Sequence, residues 1–230
     1  TDASAIMNNE RPTEMMDIIY NGTAHTLNLA KRDKSKTLFL SSGAIYGVQP
    51  DQIESLDENY IGGPKLDTHL SASGETKRAA ELLCRAYIHQ FNLDITIARC
   101  FAFVGPYLPL DTHFAIGNFM MNVLKNETIT VKSDGKPLRT YMYAADLAIW
   151  LMHLLCSGKS GQAYNVGGQE VISIKDLAYL VQSVAGKGQV EILNQNPAIY
   201  VNLNYVCNVQ KFMREFNINS MIPLREGIER

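Results

Sequence analysis

The spacing of apolar residues along the chain predicts helices and short buried strands in turn. Residues 12–31 carry apolar side chains at helical spacing, and Pro12 suits a first helical turn. Residues 37–40 form a short apolar run before a glycine, which is typical of a buried parallel strand. A second helix is predicted for residues 72–91 and a second strand for residues 95–98. This order predicts a βαβ unit in a doubly wound α/β sheet.

The regular alternation of predicted helices and strands stops after Pro106, where the sequence predicts a loop. Ser173 is a good N-cap for one of the helices in this part. The pattern predicts helices over residues 114–125, 141–155, 173–184, 211–216 and 224–229, a β-like run at 129–131 and a core strand at 163–166.

Composition places the chain among soluble globular proteins and narrows its partners. Of its 230 residues, 46% are hydrophobic and 19% are charged. The net charge of -2 gives no electrostatic reason to expect nucleic acid as a partner. The longest apolar stretch, residues 147–155, contains His153 and is too short for a bilayer, so we read it as a core helix and expect no membrane partner.

The four cysteines lie far apart inside apolar segments and do not have metal-ligand spacing. We therefore expect buried free thiols and no metal site, which favours a reducing compartment and a cytoplasmic location. No signal peptide is recognisable at the start, which is Thr1 rather than Met and looks like the middle of a longer chain. The cysteines are Cys84, Cys100, Cys156 and Cys207.

Five motifs follow one another in the order found in one protein family. They are NGTAHTLNLA (21–30), SSGAIYG (41–47), RCFAFVGP (99–106), GKPLRTYMYAADLA (135–148) and AYNVGGQEVISIKDLA (163–178). Each motif alone is weak, but five in register are specific. Together they resemble the NAD-dependent epimerase/dehydratase family of extended short-chain dehydrogenases/reductases, whose members modify nucleotide sugars.

The resemblance implies a fold and a set of partners. The fold would be the C-terminal part of a doubly wound parallel (Rossmann) sheet with a smaller α+β substrate-binding domain. NAD or NADP would be the cofactor and a nucleoside-diphosphate sugar the substrate, in a homodimer formed through the helices predicted at 12–31 and 72–91. The NAD(P)-binding part would comprise residues 1–107 and 141–172, and the substrate-binding domain residues 108–140 and 173–230.

The family's active site combines a Ser or Thr at a strand end with a Tyr-x-x-x-Lys pair on the next helix. Ser42 matches the hydroxyl residue and Lys77 matches the lysine. The chemistry needs a phenol whose pKa, ordinarily near 10, is lowered by a nearby ammonium while a hydride moves. The plainer alternatives are that Ser42 only hydrogen-bonds a strand end and that Lys77 is a solvated helix lysine.

The position of the family tyrosine is occupied by Ser73. A serine is too short to reach the place of a phenol oxygen, and a nucleophilic serine needs an adjacent base. Tyr46 and His69 are the nearest substitutes, but we expect Tyr46 to be a packing residue and His69 to be merely exposed. Ser73 is therefore either an inactivating change or a sign of a different proton route, and we keep it in the catalytic set with Ser42 and Lys77.

The resemblance also implies contacts with the cofactor and the substrate. The expected cofactor-binding residues are Ser41, Lys77, Cys100, Phe101 and Val104. The expected substrate-binding residues are Ala102, Phe114, Ala115, Lys132 and Arg139. Arg139 matches the arginine that grips the diphosphate, a task suited to its bidentate fork.

The two residues that follow Ser42 narrow the range of expected reactions. Family dehydratases carry acidic residues there, whereas this chain has Gly43 and Ala44, which favours an epimerase or simple oxidoreductase. Two other hypotheses stay open. The chain could be a non-catalytic nucleotide-sugar-binding or regulatory subunit, favoured by Ser73, or a reductase or isomerase that acts on a non-nucleotide substrate.

The family's glycine-rich dinucleotide fingerprint does not occur in the sequence. The opening residues match the stretch after the family's fourth strand, so we expect the earlier strands to lie upstream of Thr1. Two consequences follow. The run at 37–40 should be an exposed apolar edge, and Ser42, Ser73 and Lys77 should line one cleft with residues 100–104 as its floor.

Overall fold

The computed structural model describes residues 5–110, 114–194, 204–218 and 221–230. The strands are β1 (Thr37–Ser42), β2 (Ile95–Cys100), β3 (Phe103–Val104), β4 (Ile129–Val131), β5 (Leu138–Thr140), β6 (Met142–Tyr143), β7 (Ala163–Val166), β8 (Val171–Ser173) and β9 (Val190–Ile192). The helices are α1 (Ala5–Glu10), α2 (Pro12–Asp33), α3 (Ala72–Phe91), α4 (Ala115–Leu124), α5 (Ala144–Ser157), α6 (Ile174–Ala185), α7 (Gln210–Phe216) and α8 (Leu224–Glu229). Residues 1–4, on which the comparison with the fourth strand mainly rests, lie outside the described residues.

A parallel sheet of order β1-β2-β7 forms the centre of the fold. The register pairs Ser42 with Cys100 and Cys100 with Val166, so the carboxyl ends of the three strands lie side by side. Every residue of β7 and the first four of β2 are buried, as expected for strands covered on both faces. The predicted α/β class with part of a Rossmann sheet is confirmed.

Helices cover both faces of this sheet. On one face, α2 and α3 pack against each other and against Phe39, Ile95 and Ile97. On the other face, α5 and α7 meet through the rings of Trp150 and Phe212, which stack with their centroids 3.7 Å apart. Burial of these large aromatic side chains contributes hydrophobic free energy to this part of the chain.

A second core lies between α4, α6 and α8 and the two strand pairs β4-β9 and β5-β8. Its centre includes Ile116, Ile129 and Leu177, each with no exposed surface. The proposed division into two domains remains a prediction. By packing, α7 lies on the parallel sheet although it falls within the predicted second domain, residues 173–230.

The structure departs from the sequence prediction in several places. The helix predicted from residue 141 begins at Ala144, because Met142 and Tyr143 pair with β3. Helix α1 and strands β3, β5, β6, β8 and β9 were not predicted. Cys156 is exposed rather than buried, although all four cysteines are free. Among the described residues, no helix is both long and apolar enough to cross a membrane.

Strand β1 lies at the edge of the sheet in the described part of the chain. Its Leu40 side chain is 46% exposed, and a groove of about 400 Å³ runs between β1 and α2. Lys77 lines the same groove. An exposed apolar edge of this kind is a template for pairing with another strand.

We predict that Leu40→Glu reduces self-association of the isolated chain. A charge on an open edge strand opposes edge-to-edge pairing, whereas Ile149→Glu, on the exposed surface of α5, leaves the edge intact and serves as the control. Sedimentation velocity over a range of concentrations measures the effect. A wild-type chain that stays monomeric at every concentration would contradict the prediction.

Candidate active site at the carboxyl edge of the sheet

Lys77 is held at the free edge of β1. Its Nζ donates a hydrogen bond to the carbonyl oxygen of Leu40 at 2.6 Å and lies 5.1 Å from the centre of the Phe39 ring. Burial lowers the pKa of Lys77, while the nearby thiol of Cys100 acts to raise it. The amine therefore contacts the same strand that ends, two residues later, at Ser42.

Ser42 is the last residue of β1 and caps the 3₁₀ turn Gly43–Tyr46. Its Oγ accepts a hydrogen bond from the backbone N–H of Ala44 at 3.1 Å. The hydroxyl of Tyr205, from a distant part of the chain, lies beside the next residue, Gly43. The strand-end role that sequence reasoning gave as the plainer alternative is thus present.

Ser73 lies in the first turn of α3, one turn before Lys77. Its backbone N–H donates to Oδ1 of Asn8 at 2.9 Å, and Nδ2 of Asn8 donates to the carbonyl of Leu70 at 2.7 Å. Helix α1 therefore packs on the start of α3 beside Ser73. A single cleft shared by Ser42, Ser73 and Lys77 stays a prediction.

A buried polar network connects β1, β2 and α3. The Arg99 guanidinium binds both carboxylate oxygens of Glu81, with Nη2 at 2.8 Å from Oε2, and its Nη1 donates to the hydroxyl of Tyr46 at 2.8 Å. Ser41, an expected cofactor residue, donates its hydroxyl to Glu81 at 2.6 Å. The hydroxyl of Ser41 is thereby directed toward α3.

The two substitutes considered for the missing tyrosine are engaged elsewhere. Tyr46 is 2% exposed, and its hydroxyl donates to Oδ1 of Asn165 at 2.8 Å. Burial raises the pKa of Tyr46 above its ordinary value. His69 is exposed and contacts Oδ1 of Asn9 through Nε2 at 3.3 Å. Tyr46 is a packing residue, as expected.

The residues expected to form the floor of the cleft, 100–104, start at the last residue of β2. Cys100 is half-buried, and burial raises the pKa of its thiol to about 11. The ring of Phe101 lies 4.6 Å from the ring of Tyr205, measured between centroids. Ala102 is half-buried against the second core, and Val104 is 1% exposed within it. A cofactor contact by Val104 would therefore have to come from its backbone.

Apart from Ala102, the expected substrate-binding residues lie on or beside α4, β4 and β5. Arg139 is in β5, where its Nη1 donates to the carbonyl of Leu138 at 2.9 Å, and burial lowers its pKa. Phe114 directly precedes α4 and Ala115 begins it, and both are half-buried. Lys132 is exposed immediately after β4. In the described part of the chain, no group of acidic, histidine or cysteine side chains could hold a metal ion.

Tyr205 is the residue of the site that sequence reasoning missed. Its backbone N–H donates to the carbonyl of Leu138 at 2.9 Å, and Tyr205 forms a β-bridge with Arg139. Its hydroxyl lies so close to Gly43 that a Cβ there would stand 2.5 Å from it. No recognised motif contains Tyr205, and no local pattern marks it.

Gly43 is sterically enclosed. A Cβ at this position would also lie 2.8 Å from Cζ of Phe101. The space beside Gly43, one of the two positions for which the resemblance implies acidic residues in dehydratases, is therefore filled by the tips of two aromatic side chains, Phe101 and Tyr205.

Comparison with known proteins identifies the family. The sequence model of the NAD dependent epimerase/dehydratase family matches residues 3–167, which is more than half of the chain. The chain belongs to this family. Members of the family are NAD(P)-dependent, and the solved structures with this fold include complexes with NAD and with NADPH.

Named relatives and solved structures agree with this membership. UDP-glucuronic acid decarboxylase 1 of Xenopus tropicalis is 30% identical over 91% of this chain and 49% of its own length, and that of Arabidopsis thaliana is 28% identical over 99% and 52%. The chain thus spans about half the length of these relatives. UDP-glucose 4-epimerase of Thermus thermophilus has the same fold, with a TM-score of 0.84 at 23% identity over 100% of this chain and 73% of the other.

We predict opposite effects of alanine at two glycines. Gly43→Ala should destabilise the chain by about 1–3 kcal/mol, because its Cβ clashes with Tyr205 and Phe101. Gly22→Ala, in α2 with open space around it, should instead stabilise by about 1 kcal/mol through helix propensity. Urea unfolding measures both. Equal midpoints for the two variants would mean that Gly43 is not enclosed as described.

Proposed function

We propose that the protein containing this chain oxidises a hydroxyl of a nucleoside-diphosphate sugar with NAD(P)⁺ and returns the hydride to the opposite face, as an epimerase. The observation that carries the proposal is the placement of Lys77 on the carbonyl of Leu40, two residues before Ser42, at the carboxyl ends of the parallel strands. Ligands bind at this edge in open α/β sheets.

Each residue would make a different interaction with the substrate or the cofactor. The hydroxyl of Ser42 would donate a hydrogen bond to the sugar oxygen that becomes a ketone. Lys77 would supply positive charge beside the nicotinamide ribose and hold its hydroxyls. The nicotinamide, when bound, supplies the acceptor for the hydride. Arg139 would bind the diphosphate, for which its planar fork is suited.

The fit between this chain and the cofactor is partial. Lys77 and Ser42 suit the nicotinamide-ribose end, whereas the sequence holds no glycine-rich turn to receive the pyrophosphate. We therefore propose that the chain binds only part of the cofactor by itself and that the choice between NAD and NADP is made elsewhere. The free thiols are compatible with a cytoplasmic location.

A homodimer through α2 and α3 is part of the proposal. These helices pack against each other and present exposed apolar side chains to solvent. The largest are Met16, Ile18, Tyr20, Leu29 and Leu82.

A decarboxylase is the second candidate, and the names of the relatives favour it. Oxidation of a sugar hydroxyl β to a carboxylate would give a β-keto acid, which loses CO₂ readily, so both candidates share the first step.

The enclosed Gly43 and the short Ala44 offer no acidic side chain to expel water. We therefore propose no dehydratase activity. Product analysis with UDP-glucuronic acid separates an epimer from a decarboxylated sugar.

Ser73 decides between an enzyme and a binding subunit. No phenol stands one turn before Lys77, so proton transfer at the sugar hydroxyl lacks its usual carrier. A non-catalytic subunit that binds a nucleotide sugar is therefore the alternative to an impaired enzyme. NADH formation by the complete protein, supplied with a UDP- or dTDP-sugar, distinguishes them.

We predict that Ser73→Tyr raises turnover in the complete protein. A positioned general acid–base group typically contributes about 10²- to 10⁴-fold to the rate. KM for the sugar nucleotide should change little, because the phenol acts mainly on the transition state. Steady-state kinetics followed by NADH absorbance measure both quantities.

The matched control is Ser73→Phe, which adds the ring without the hydroxyl and should give no gain. Lys77→Met should abolish the gain from Ser73→Tyr, because the phenol then loses its ammonium. A wild-type protein that is fast with Ser73 and not improved by tyrosine would show that another group carries the proton. A tyrosine variant that binds both ligands yet stays inert would favour the binding subunit.

We predict that Arg139 is needed for nucleoside-diphosphate binding by the chain. Loss of charge-assisted hydrogen bonds in Arg139→Ala should weaken the Kd for uridine diphosphate about 10- to 100-fold, whereas Arg225→Ala, at an exposed position on α8, should not. Isothermal titration calorimetry measures the Kd. Wild-type chain that fails to bind uridine or thymidine diphosphate would instead support a non-nucleotide substrate.

A further inference from the structure

Asn165 is a buried residue of β7 whose side-chain amide uses both of its N–H groups and its oxygen. It has no exposed surface. Its Nδ2 donates to the carbonyl oxygens of Leu56 at 2.8 Å and of Asn208 at 3.1 Å. Its Oδ1 accepts from the hydroxyl of Tyr46 at 2.8 Å. Two carbonyl oxygens can only be faced by the NH₂ group, so the amide oxygen must point to Tyr46.

The contact with Tyr46 connects Asn165 to the turn that follows Ser42. The Tyr46 hydroxyl accepts from Nη1 of Arg99 at 2.8 Å, which leaves its own hydrogen for Asn165. Tyr46 is the last residue of the 3₁₀ turn, and the N–H of Ala44 in that turn donates to Oγ of Ser42 at 3.1 Å. The Ser42 hydroxyl is therefore bonded to a turn whose far end is bonded to Asn165.

The contacts with Leu56 and Asn208 connect Asn165 to the strand that carries Arg139. Leu56 pairs with residues 204–209, donating its N–H to this segment at 2.9 Å and accepting from the N–H of Asn208 at 3.0 Å. The same segment forms a β-bridge with Arg139 in β5. One short segment thus joins Asn165 to the arginine proposed to bind the diphosphate.

On the basis of the functions proposed for Ser42 and Arg139, we propose that Asn165 is a positioning residue that fixes the spacing between them. A sugar nucleotide must present its reacting hydroxyl to Ser42 while Arg139 holds its diphosphate. The distance between the two groups therefore decides whether a bound substrate is aligned, and a misplacement of about 1 Å can lower a rate about 10²-fold. The Asn165 amide binds both parts of the chain at once and ties this distance to β7.

Asn165→Asp in the isolated chain tests the coupling without any ligand. The carboxylate still accepts from Tyr46, but its second oxygen faces two backbone carbonyl oxygens, which repel it. We expect the amide NMR signals of Ala44, in the turn, and of Tyr205, in the segment, both to shift. Two unmoved signals in a folded variant would show that Asn165 positions neither part.

Asn28→Asp is the matched control for this substitution. Asn28 also accepts from a tyrosine hydroxyl, that of Tyr87 at 2.9 Å, but on the exposed surface of α2. It should shift neither the Ala44 nor the Tyr205 signal. Equal shifts in the control would mean that the signals report a general loosening of the chain, and the proposal would fall.

Lower pH should restore the Asn165→Asp chain, because a protonated carboxyl can again donate to a carbonyl oxygen. Burial raises the pKa of such a carboxyl, so the signals should return toward those of the wild-type chain above the ordinary aspartate pKa of about 3.9. The nearest titratable groups are Glu58, which accepts from the N–H of Asn165 at 2.7 Å, Tyr46 and Arg99. The wild-type chain carries all three, so its spectra over the same pH range are the reference.

Two milder variants separate the two connections in the complete protein. Tyr46→Phe keeps the buried ring and removes the hydroxyl bonded to Asn165, which loosens the turn, so kcat should fall about tenfold with KM within about twofold. The buried Gln49 accepts from a backbone N–H of the segment at 2.9 Å. Gln49→Met loosens the segment beside Arg139, so KM should rise about tenfold with kcat within about twofold. Asn165→Asp should change both.

The outcomes distinguish this proposal from the proposed function. The natural protein or its Ser73→Tyr variant serves as background, whichever turns over faster, and the same kinetic pattern in Tyr46→Phe and Gln49→Met would indicate a purely structural role. Shifted signals in a protein that turns over no sugar nucleotide in either background would overturn the proposed function and, with it, the catalytic meaning of the coupling. Where Asn165→Asp does not fold, Tyr46→Phe replaces it, and an unmoved Tyr205 signal would overturn the coupling itself.

Discussion

The ion pair between Arg99 and Glu81 fixes α3 to the sheet, and the candidate site depends on that attachment. The two side chains are 11% and 7% exposed, and they meet through two hydrogen bonds at 2.8 and 3.1 Å. A bidentate pair of this kind sets both the distance and the orientation of its partners. Removal of one partner of a buried pair costs about 3–5 kcal/mol, since the other charge is left without compensation.

The ion pair between Arg99 and Glu81 positions Lys77 at the edge of β1. Glu81 lies one turn after Lys77 on the same face of α3, and Ser41, which donates to Glu81, is the residue after Leu40. Anchoring Glu81 at Ser41 therefore brings the lysine amine to the carbonyl of Leu40. The ammonium at the strand edge and the hydroxyl of Ser42 are thus placed by one buried network rather than by separate local structures.

The sequence predicted the parts of the fold and site whose signals are local. Helix α3 spans Ala72–Phe91, as predicted, because twenty residues carry a clear helical period. The three-residue strand β5 has too few residues for any period. Ser42 could be proposed as a site residue because it lies in the motif SSGAIYG, and Lys77 because it lies on the following helix, where the family has its lysine. Tyr205 could not, because its place depends on backbone pairing with Leu138, far away in the sequence.

The groups proposed to bind the sugar nucleotide are distinct from the group proposed to transfer a proton. The network around Arg99 is complete, and the Arg139 guanidinium is held in β5, so the groups proposed to orient a sugar nucleotide do not depend on residue 73. Under the proposed reaction, proton transfer does depend on it, because the Tyr46 phenol is buried, has a raised pKa and is engaged in hydrogen bonds with Asn165 and Arg99. Oriented donors stabilise a developing charge without moving a proton. On the proposed function, Ser73 therefore limits the rate of the chemical step and leaves recognition of the sugar nucleotide intact.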